Sequence, residues 1–452
     1  MSINKLLDVA GRSLFTYQKA LNVTSNNIVN ANNPNYSKRR ITMSQVAPDH
    51  RFGLGIGSGV EISDIARVRN ELTDKQIIGY NHEYSYNNRY SELLTQVEQL
   101  YSEPSDLGVS NLMNEFFNSW EELAVNPSST ALRNNVINSA QKFSSKVNSI
   151  YDGYEVIKTD VKKEAEQTVS EMNNHIMNIY NLNREIYKAT AVNRNANDLL
   201  DERAATLEEL SKLANISVTY DDNNVANVSI GGSFAVDRVH AEKYLLAEED
   251  GKLKIKPHEE SGAIMVNSGK ISALNDIFSK KITEHKALLD NLATTVMDEV
   301  NSIHSSGYSL HEPPVTGIDF FSGYEHGKLF INEDILADPR YIAVSADQTD
   351  GNGEFASAIG ALKDRDTMDG LTFESKYSDF ISGMASEIVQ HDQQGQSLGL
   401  VLDQLSLTKA EYSGVSTDEE MVNVIKFQRS YNASAKLIQV ADELFQTIIN
   451  MV

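Results

Sequence analysis

The chain has 452 residues, too many for one ordinary core, and a hydrophobic fraction of 40% that rules out wholesale disorder. Its net charge of −23 argues against a general nucleic-acid binder, because phosphate backbones repel such a surface. It contains no cysteine, which removes disulfides, thiolate metal sites and cysteine nucleophiles together.

No run approaches the ~20 apolar residues needed to cross a bilayer, so no membrane partner is expected. The opening Met-Ser-Ile-Asn-Lys-Leu-Leu-Asp has no apolar core of a signal peptide. That fits a cytoplasmic protein, or one exported without a cleaved signal. Composition does not separate the two.

From the first residues a stripe recurs at Ile3, Leu7, Ala10, Leu14, Tyr17, Leu21, Thr24, Ile28 and Ala31, alternating four and three. This is the heptad seam of a coiled coil. The run Asn30-Ala31-Asn32-Asn33-Pro34-Asn35 ends that helix, since asparagine tolerates left-handed geometry and proline disfavours a helical residue before it. A basic cluster, Lys38, Arg39 and Arg40, follows; it reads as a solvated patch, or as a partner for acidic neighbours. Gly53, Gly55, Gly57 and Gly59 mark a loop, and Val60, Ile62 and Ile65 a short strand.

Helical patterns then run from about 70 to 101 and 110 to 124. Asn126-Pro127-Ser128-Ser129 stops one helix and caps the next, and 130 to 212 is expected to be almost wholly helical. At Ile216 the period changes to alternation. Ile216–Tyr220, Val225–Ile230, Phe234–Val236 and Leu253–Lys256 read as strands of a small β-rich insertion. Helix returns from 271 to 304, 305–350 is expected to be irregular, and two helices close the chain at about 373–412 and 418–450. The last mirrors the first: Val424, Phe427, Tyr431, Ser434, Ile438, Ala441, Phe445, Ile448 and Val452 alternate three and four. The two terminal stripes either pair with each other, parallel or antiparallel, or pack separately on local cores.

The predicted fold is mainly α with a β-rich insertion. The terminal helices form a coiled-coil seam on a long helical body, and a small β domain projects from it. The predicted divisions are 1–70, an N-terminal helix and connector; 71–213, a helical body; 214–270, the β-rich insertion; 271–372, a helix and irregular region rejoining the body; and 373–452, the C-terminal helices.

No catalytic, cofactor-binding or metal-binding residue is predicted. The histidines form no His-Glu-x-x-His. His304 and His311 lie seven apart with only Glu312 nearby. Asp347-Gln348-Thr349-Asp350-Gly351-Asn352-Gly353-Glu354 superficially resembles a calcium loop, but its third position is Thr349, and it reads better as a turn capping a helix near Phe355.

The segment Ala20-Leu21-Asn22-Val23-Thr24-Ser25-Asn26-Asn27-Ile28-Val29-Asn30-Ala31-Asn32 resembles the N-terminal signature of the flagellar rod, hook and hook-associated axial proteins. That signature usually closes in Gly-Tyr. Here the pair is Asn35-Tyr36, a mild change if the position is left-handed. Ser413–Met421 and Phe427-Gln428-Arg429-Ser430-Tyr431-Asn432-Ala433-Ser434-Ala435 resemble the family's last helix and its approach. Asn197-Asp198-Leu199-Leu200-Asp201-Glu202-Arg203, Phe116-Phe117, Asn126-Pro127 and Asp347–Asp364 resemble the hook-associated members that join hook to filament. The resemblance leaves out 214–270 and 305–330, and implies outer domains smaller than in many relatives.

The resemblance implies a structural role with no enzymatic activity and no cofactor. It implies export through the flagellar secretion channel to an extracellular place in the flagellum. It also implies four partners: further copies in a ring, the hook protein, a second junction protein, and an export chaperone that covers the C-terminal helix. The residues expected at the assembly interface are Leu7, Leu14, Leu21 and Ile28 with Phe427, Tyr431, Ile438 and Phe445. Those expected at the helix-end signature are Asn26, Asn27, Asn35 and Tyr36. A hook or rod subunit, and a cytoplasmic coiled-coil scaffold whose ends pair by coincidence, are the alternative readings.

Overall fold

The computed structural model describes residues 3–47, 57–192, 194–258 and 262–451. Gly53, Gly55 and Val452 lie outside the described residues. Helix α1 (Ile3–Val29) leads into a hairpin, β1 (Arg39–Gln45) and β2 (Val60–Arg67). Four helices follow: α2 (Glu71–Tyr101), α3 (Val109–Val125), α4 (Thr130–Ala191) and α5 (Asn197–Leu213). Next come β3 (Ile216–Tyr220), β4 (Ala226–Ile230), β5 (Ser233–Val236), β6 (Tyr244–Glu249) and β7 (Lys252–Pro257). Helix α6 (Lys270–Asp276) runs through a π-helical turn, Ile277–Lys281, into α7 (Ile282–His304). Beyond it lie β8 (Tyr308–Ser309), β9 (Phe321–Glu325), β10 (Lys328–Ile331), α8 (Glu333–Ala337), β11 (Ala343–Ser345) and α9 (Glu354–Gly360). The chain closes with α10 (Phe373–Ser413) and α11 (Thr417–Met451). The fold is mainly α, with small antiparallel sheets ordered β1-β2, β3-β4-β5, β6-β7, β9-β10 and β8-β11.

Two compact units share the long helices. One comprises Glu83–Glu171 and Tyr244–Ser397. Its core is aromatic. On α3, Leu112, Met113, Phe116, Phe117, Trp120 and Leu123 recur at helical spacing and are buried. Phe116 stacks on Phe143 at 6.3 Å, Phe117 on Phe373 at 5.7 Å, and Trp120 meets the edge of Phe320 at 5.2 Å. Offset and edge contacts of this kind add ~1 kcal/mol each to the burial of the rings.

Two polar groups tie the 305–350 segment to that core. Buried Arg133 donates to the carbonyls of Pro127 at 2.9 Å and Ile342 at 2.6 Å. His304 is fully buried: Nδ1 pairs with the Ile318 carbonyl at 2.7 Å, and Nε2 accepts the Ala343 N–H at 2.9 Å. The ring is therefore neutral and protonated on Nδ1. His311 instead stacks on Tyr341 at 4.5 Å, so the two histidines serve different contacts.

The other unit comprises Met1–His82, Met172–Lys243 and Leu398–Val452. It holds α1, the β1-β2 hairpin, α5, the β3-β4-β5 sheet and α11. Buried Asn183 on α4 fastens the sheet: Nδ2 donates to the Ala226 carbonyl at 2.8 Å, and Oδ1 accepts the Ala226 N–H at 3.0 Å and Arg203 Nη1 at 2.9 Å.

The stretch 130–212 is almost wholly helical, as expected, in two helices, α4 and α5. It breaks between Ala191 and Asn197, where the Asn195 and Asn197 amides donate to the Ile65 carbonyl at 2.9 and 2.8 Å. The 305–350 segment, expected to be irregular, carries four strands and α8. Residues 39–45 form β1, which their basic cluster concealed. Strand β6 was also missed. The strands within 214–270 divide between the units, β3–β5 in one and β6–β7 in the other.

The 347–354 segment is a turn. The Asp347 carboxylate accepts from Thr349 N–H at 3.2 Å, from Asn352 Nδ2 at 2.9 Å and from Ser345 Oγ at 3.2 Å. These hydrogen bonds hold its carboxyl below the usual range. Gly353 then opens α9.

Candidate functional site

The two ends of the chain meet in an antiparallel helix pair. The Lys38 N–H, just past the end of α1, donates to the Ser413 carbonyl at the end of α10 at 2.8 Å. Its ammonium pairs with Glu419 in the first turn of α11 at 2.7 Å. Earlier in α1, Tyr17 meets Phe427 farther along α11, with ring centroids 6.4 Å apart. Small buried residues, Ala10 and Ala20 on α1 with Ser434 and Ala441 on α11, let helix backbones approach closely.

The heptad residues Leu7, Leu14, Leu21 and Ile28 are half-buried, as are Phe427, Tyr431 and Ile438. Phe445 is different. Beyond Ala441 every described α11 residue is exposed, leaving Leu444, Phe445, Ile448, Ile449 and Met451 facing outward.

A second face of α1 meets the hairpin. Thr16 Oγ1 donates to the Val60 carbonyl at 3.0 Å. Asn27, 1% exposed, is a hub. Its Nδ2 donates to the Arg39 carbonyl at 3.0 Å, while its Oδ1 accepts the Arg39 N–H at 3.0 Å and the Tyr36 hydroxyl at 2.8 Å. Burial pushes the Tyr36 phenol up, which favours its neutral donor form. Asn26 is exposed, and its carbonyl accepts from the Asn30 N–H at 3.1 Å and from Asn30 Nδ2 at 2.9 Å.

Asn35 is also exposed and does not use left-handed geometry; none of Asn30–Tyr36 has a positive φ. Successive bonds from Ala31 N–H to Ile28, Asn33 N–H to Asn30 and Tyr36 N–H to Asn33 carry the right-handed twist through the run. Asn33 Oδ1 takes the Asn35 N–H at 3.1 Å. The asparagines thus act as hydrogen-bonding turn formers here.

Behind this turn sits Asp201 of α5, 7% exposed. Its carboxylate accepts Ser37 Oγ at 2.8 Å, Arg39 Nη2 at 2.7 Å and Arg67 Nη1 at 3.0 Å. Arg39 also reaches Asp198 at 2.8 Å, and its guanidinium lies 4.7 Å from the Tyr36 ring centroid. Burial pulls Arg67 below its usual range, with Asp201 opposing the shift. A buried carboxylate shared by two guanidiniums is expensive to break, ~3–5 kcal/mol when one partner is removed.

The basic cluster therefore divides. Arg39 is buried, Lys38 is paired, and Arg40 is exposed. Sequence reasoning missed Arg39, Arg67 and Asp201 as partners. The only available sign was an unusually polar signature embedded in apolar periodicity.

A cavity of about 350 Å³ opens beside the hub, lined by the signature turn, α5 and the link between α10 and α11. Glu208 crosses it, paired with Lys409, and lies 3.7 Å from Arg69. Among the described residues, no helix is long and apolar enough to cross a membrane, and no group of three or more His, Asp or Glu is placed to hold a metal ion.

A family model of the flagellar hook-associated protein FlgK helical domain matches residues 94–321, half of the chain. The chain belongs to the flagellar hook-associated protein FlgK family. A second model, the C-terminal segment of the flagellar basal body rod FlgEFG proteins, matches 409–451, which spans α11.

The flagellar hook-associated protein 1 of Bacillus subtilis is 26% identical over 98% of this chain and 97% of its own length. That of Salmonella typhimurium is 22% identical over 99% of this chain and all of its own. The Salmonella alignment runs over 553 positions against 452 residues here, so that relative carries segments this chain lacks. The structure of the flagellar hook junction protein FlgK from Burkholderia pseudomallei superposes with a TM-score of 0.64 at 13% identity. It covers 75% of this chain and all of that one, and shares the fold. The FlgK family is a structural flagellar family, which places this chain among hook-associated components of the flagellum.

Proposed function

We infer that this chain is the structural adaptor that joins the flagellar hook to the filament, without enzymatic activity. The observation that carries the reading is the antiparallel pair of α1 and α11, which unites the two terminal segments in one module and leaves an apolar α11 end uncovered. In this reading the chain is exported unfolded through the flagellar secretion channel. It then forms a ring with further copies, with the hook protein on one side and a second junction protein on the other.

The seam residues Leu7, Leu14, Leu21, Ile28, Phe427, Tyr431 and Ile438 first close the pair within one chain. Phe445 and its exposed neighbours are left for other molecules. Before export, the chaperone covers that end. Folding of the terminal helices is coupled to assembly, so buried seam area offsets the entropy of ordering them.

Deleting the gene tests this directly. Cells should build hooks but shed filament subunits into the medium. Full filaments on such cells would sink the reading, and loss of the hooks themselves would favour a hook or rod subunit.

A further inference from the structure

The chain carries a net charge of −23, yet the middle of its terminal helix pair has the opposite sign. Between Val9 and Asn30 the charged residues are Arg12 and Lys19; between Met421 and Ala441 they are Lys426, Arg429 and Lys436. No carboxylate lies in either stretch. All five cations are exposed, and none makes an ion pair among the described residues. Copies of so acidic a chain repel one another, and positive charge gathered on one face lowers that cost only where the face meets a carboxylate surface.

One row of α1 is ordered as charge, ring, charge. Arg12, Phe15 and Lys19 share a face, and Phe15 is 67% exposed. The end of α10 carries the complementary order. Asp403, Leu407 and Glu411 share its outer face, opposite Lys409, with Leu407 60% exposed. Asp403 and Glu411 make no ion pair among the described residues. At 1.5 Å per residue, the two cations stand ~10 Å apart and the two carboxylates ~12 Å apart, so both pairs can close in one register.

We propose that the Arg12–Phe15–Lys19 row of one copy seats on the Asp403–Leu407–Glu411 row of a second copy. The proposal rests on the assembly reading above and names the surfaces it uses. The two rows differ, so the contact is head-to-tail, the kind that generates rings or helical tubes rather than closed two-fold dimers. Phe15 and Leu407 supply the apolar centre, and the ion pairs, Lys19 with Asp403 and Arg12 with Glu411, set the register along the two helices. Individually exposed pairs contribute little, but these are covered by the contact they define.

The test uses bacteria whose only copy of the gene carries the variant, with attached filaments counted per cell. Arg12→Glu with Lys19→Glu should lower the count at least tenfold, and so should Asp403→Lys with Glu411→Lys. Combining all four restores the charge pairing and should return the count to within twofold of the parent.

The absence of native cysteine allows a second readout. Lys19→Cys with Asp403→Cys should give a copy-to-copy disulfide in isolated flagella after mild oxidation. Parental filament numbers in both doubly charged variants, failure of the fourfold variant to recover, or a crosslink to a different protein would each overturn the pairing. Filaments surviving deletion of the gene would overturn the junction reading instead.

Discussion

Asn27 and Arg39 satisfy one another twice: the Asn27 amide donates to the Arg39 carbonyl at 3.0 Å, and the Arg39 N–H donates back to Asn27 Oδ1 at 3.0 Å. This reciprocal pair fixes how the hairpin leaves α1, and the Tyr36 hydroxyl completes it. Asn27→Ala would orphan a buried N–H, a buried C=O and a phenol. Each unsatisfied buried group costs ~1–3 kcal/mol, and partial hydration should hold the total to about 2–4 kcal/mol. The expected outcome is a lower urea midpoint, with faster hydrogen exchange at the Arg39 amide. Asn26→Ala, one residue away but exposed, should change stability by less than ~0.5 kcal/mol. Equal effects at the two positions would refute the assignment.

Asp201 provides a sharper contrast with Asp198, because the same Arg39 guanidinium touches both. Asp201 is buried with two arginines, whereas the Asp198 side chain is 95% exposed. Removing Asp201 strands Arg39 and Arg67 in a site of low polarity, so Asp201→Ala should cost ~3–5 kcal/mol. Asp198→Ala should cost ~0–1 kcal/mol, as surface pairs do. Thermal melts of the two variants beside the parent decide the matter.

These two hubs show where the sequence could be read and where it could not. The helices were legible because apolar residues recur at three and four, as on α3 from Leu112 to Leu123. The hairpin was not. In β1, Arg39-Arg40-Ile41-Thr42-Met43-Ser44-Gln45 shows no clean alternation, because an arginine holds its single buried position and the register slips between Thr42 and Met43. The Ser37–Asp201 bond joins residues 164 apart, and no local period reports a contact at that separation. Asn27 was singled out as a helix-end residue, but its burial against Arg39 depends on where the next strand returns. The break before α5 was hidden for a related reason: the amides that stop it bond to Ile65 on another element.

Gly353 and Gly351 should respond oppositely to the same substitution. A Cβ on Gly353 would lie 2.4 Å from the Ala124 carbonyl oxygen, so the backbones of α3 and α9 would have to part. A Cβ on Gly351 meets nothing within 4 Å. Gly353→Ala should destabilise by ~1–3 kcal/mol through overpacking. Gly351→Ala should be neutral or slightly stabilising, by reducing freedom in the unfolded chain. Denaturant melts with unchanged midpoints for both would show that the α3–α9 approach is looser than its geometry.

Two buried histidines make the aromatic unit acid-sensitive. His304 and His285 are both lowered from 6.5 to about 4, chiefly by burial; Arg133 adds to the shift at His304 and Lys281 at His285, while Glu387 opposes it there. In the unfolded chain each binds a proton near pH 6.5, and in the folded chain only near pH 4. The unfolded state therefore holds more protons throughout that window, so stability is full above about pH 6.5 and drains away as pH falls toward 4. A shift of this size corresponds to at most ~3 kcal/mol per histidine. Carboxylates held low by cationic partners, such as Glu387 beside Lys281, lose stability on acidification too, so the parent's pH profile alone is ambiguous. His285→Phe isolates the histidine: a phenyl ring can keep the edge contact with Phe380 at 4.9 Å but cannot take a proton. Urea midpoints of this variant should fall less steeply than the parent's between pH 6.5 and 4.5. Parallel profiles would mean that His285 titrates alike in the folded and unfolded chain, and that its burial is relieved before it is protonated.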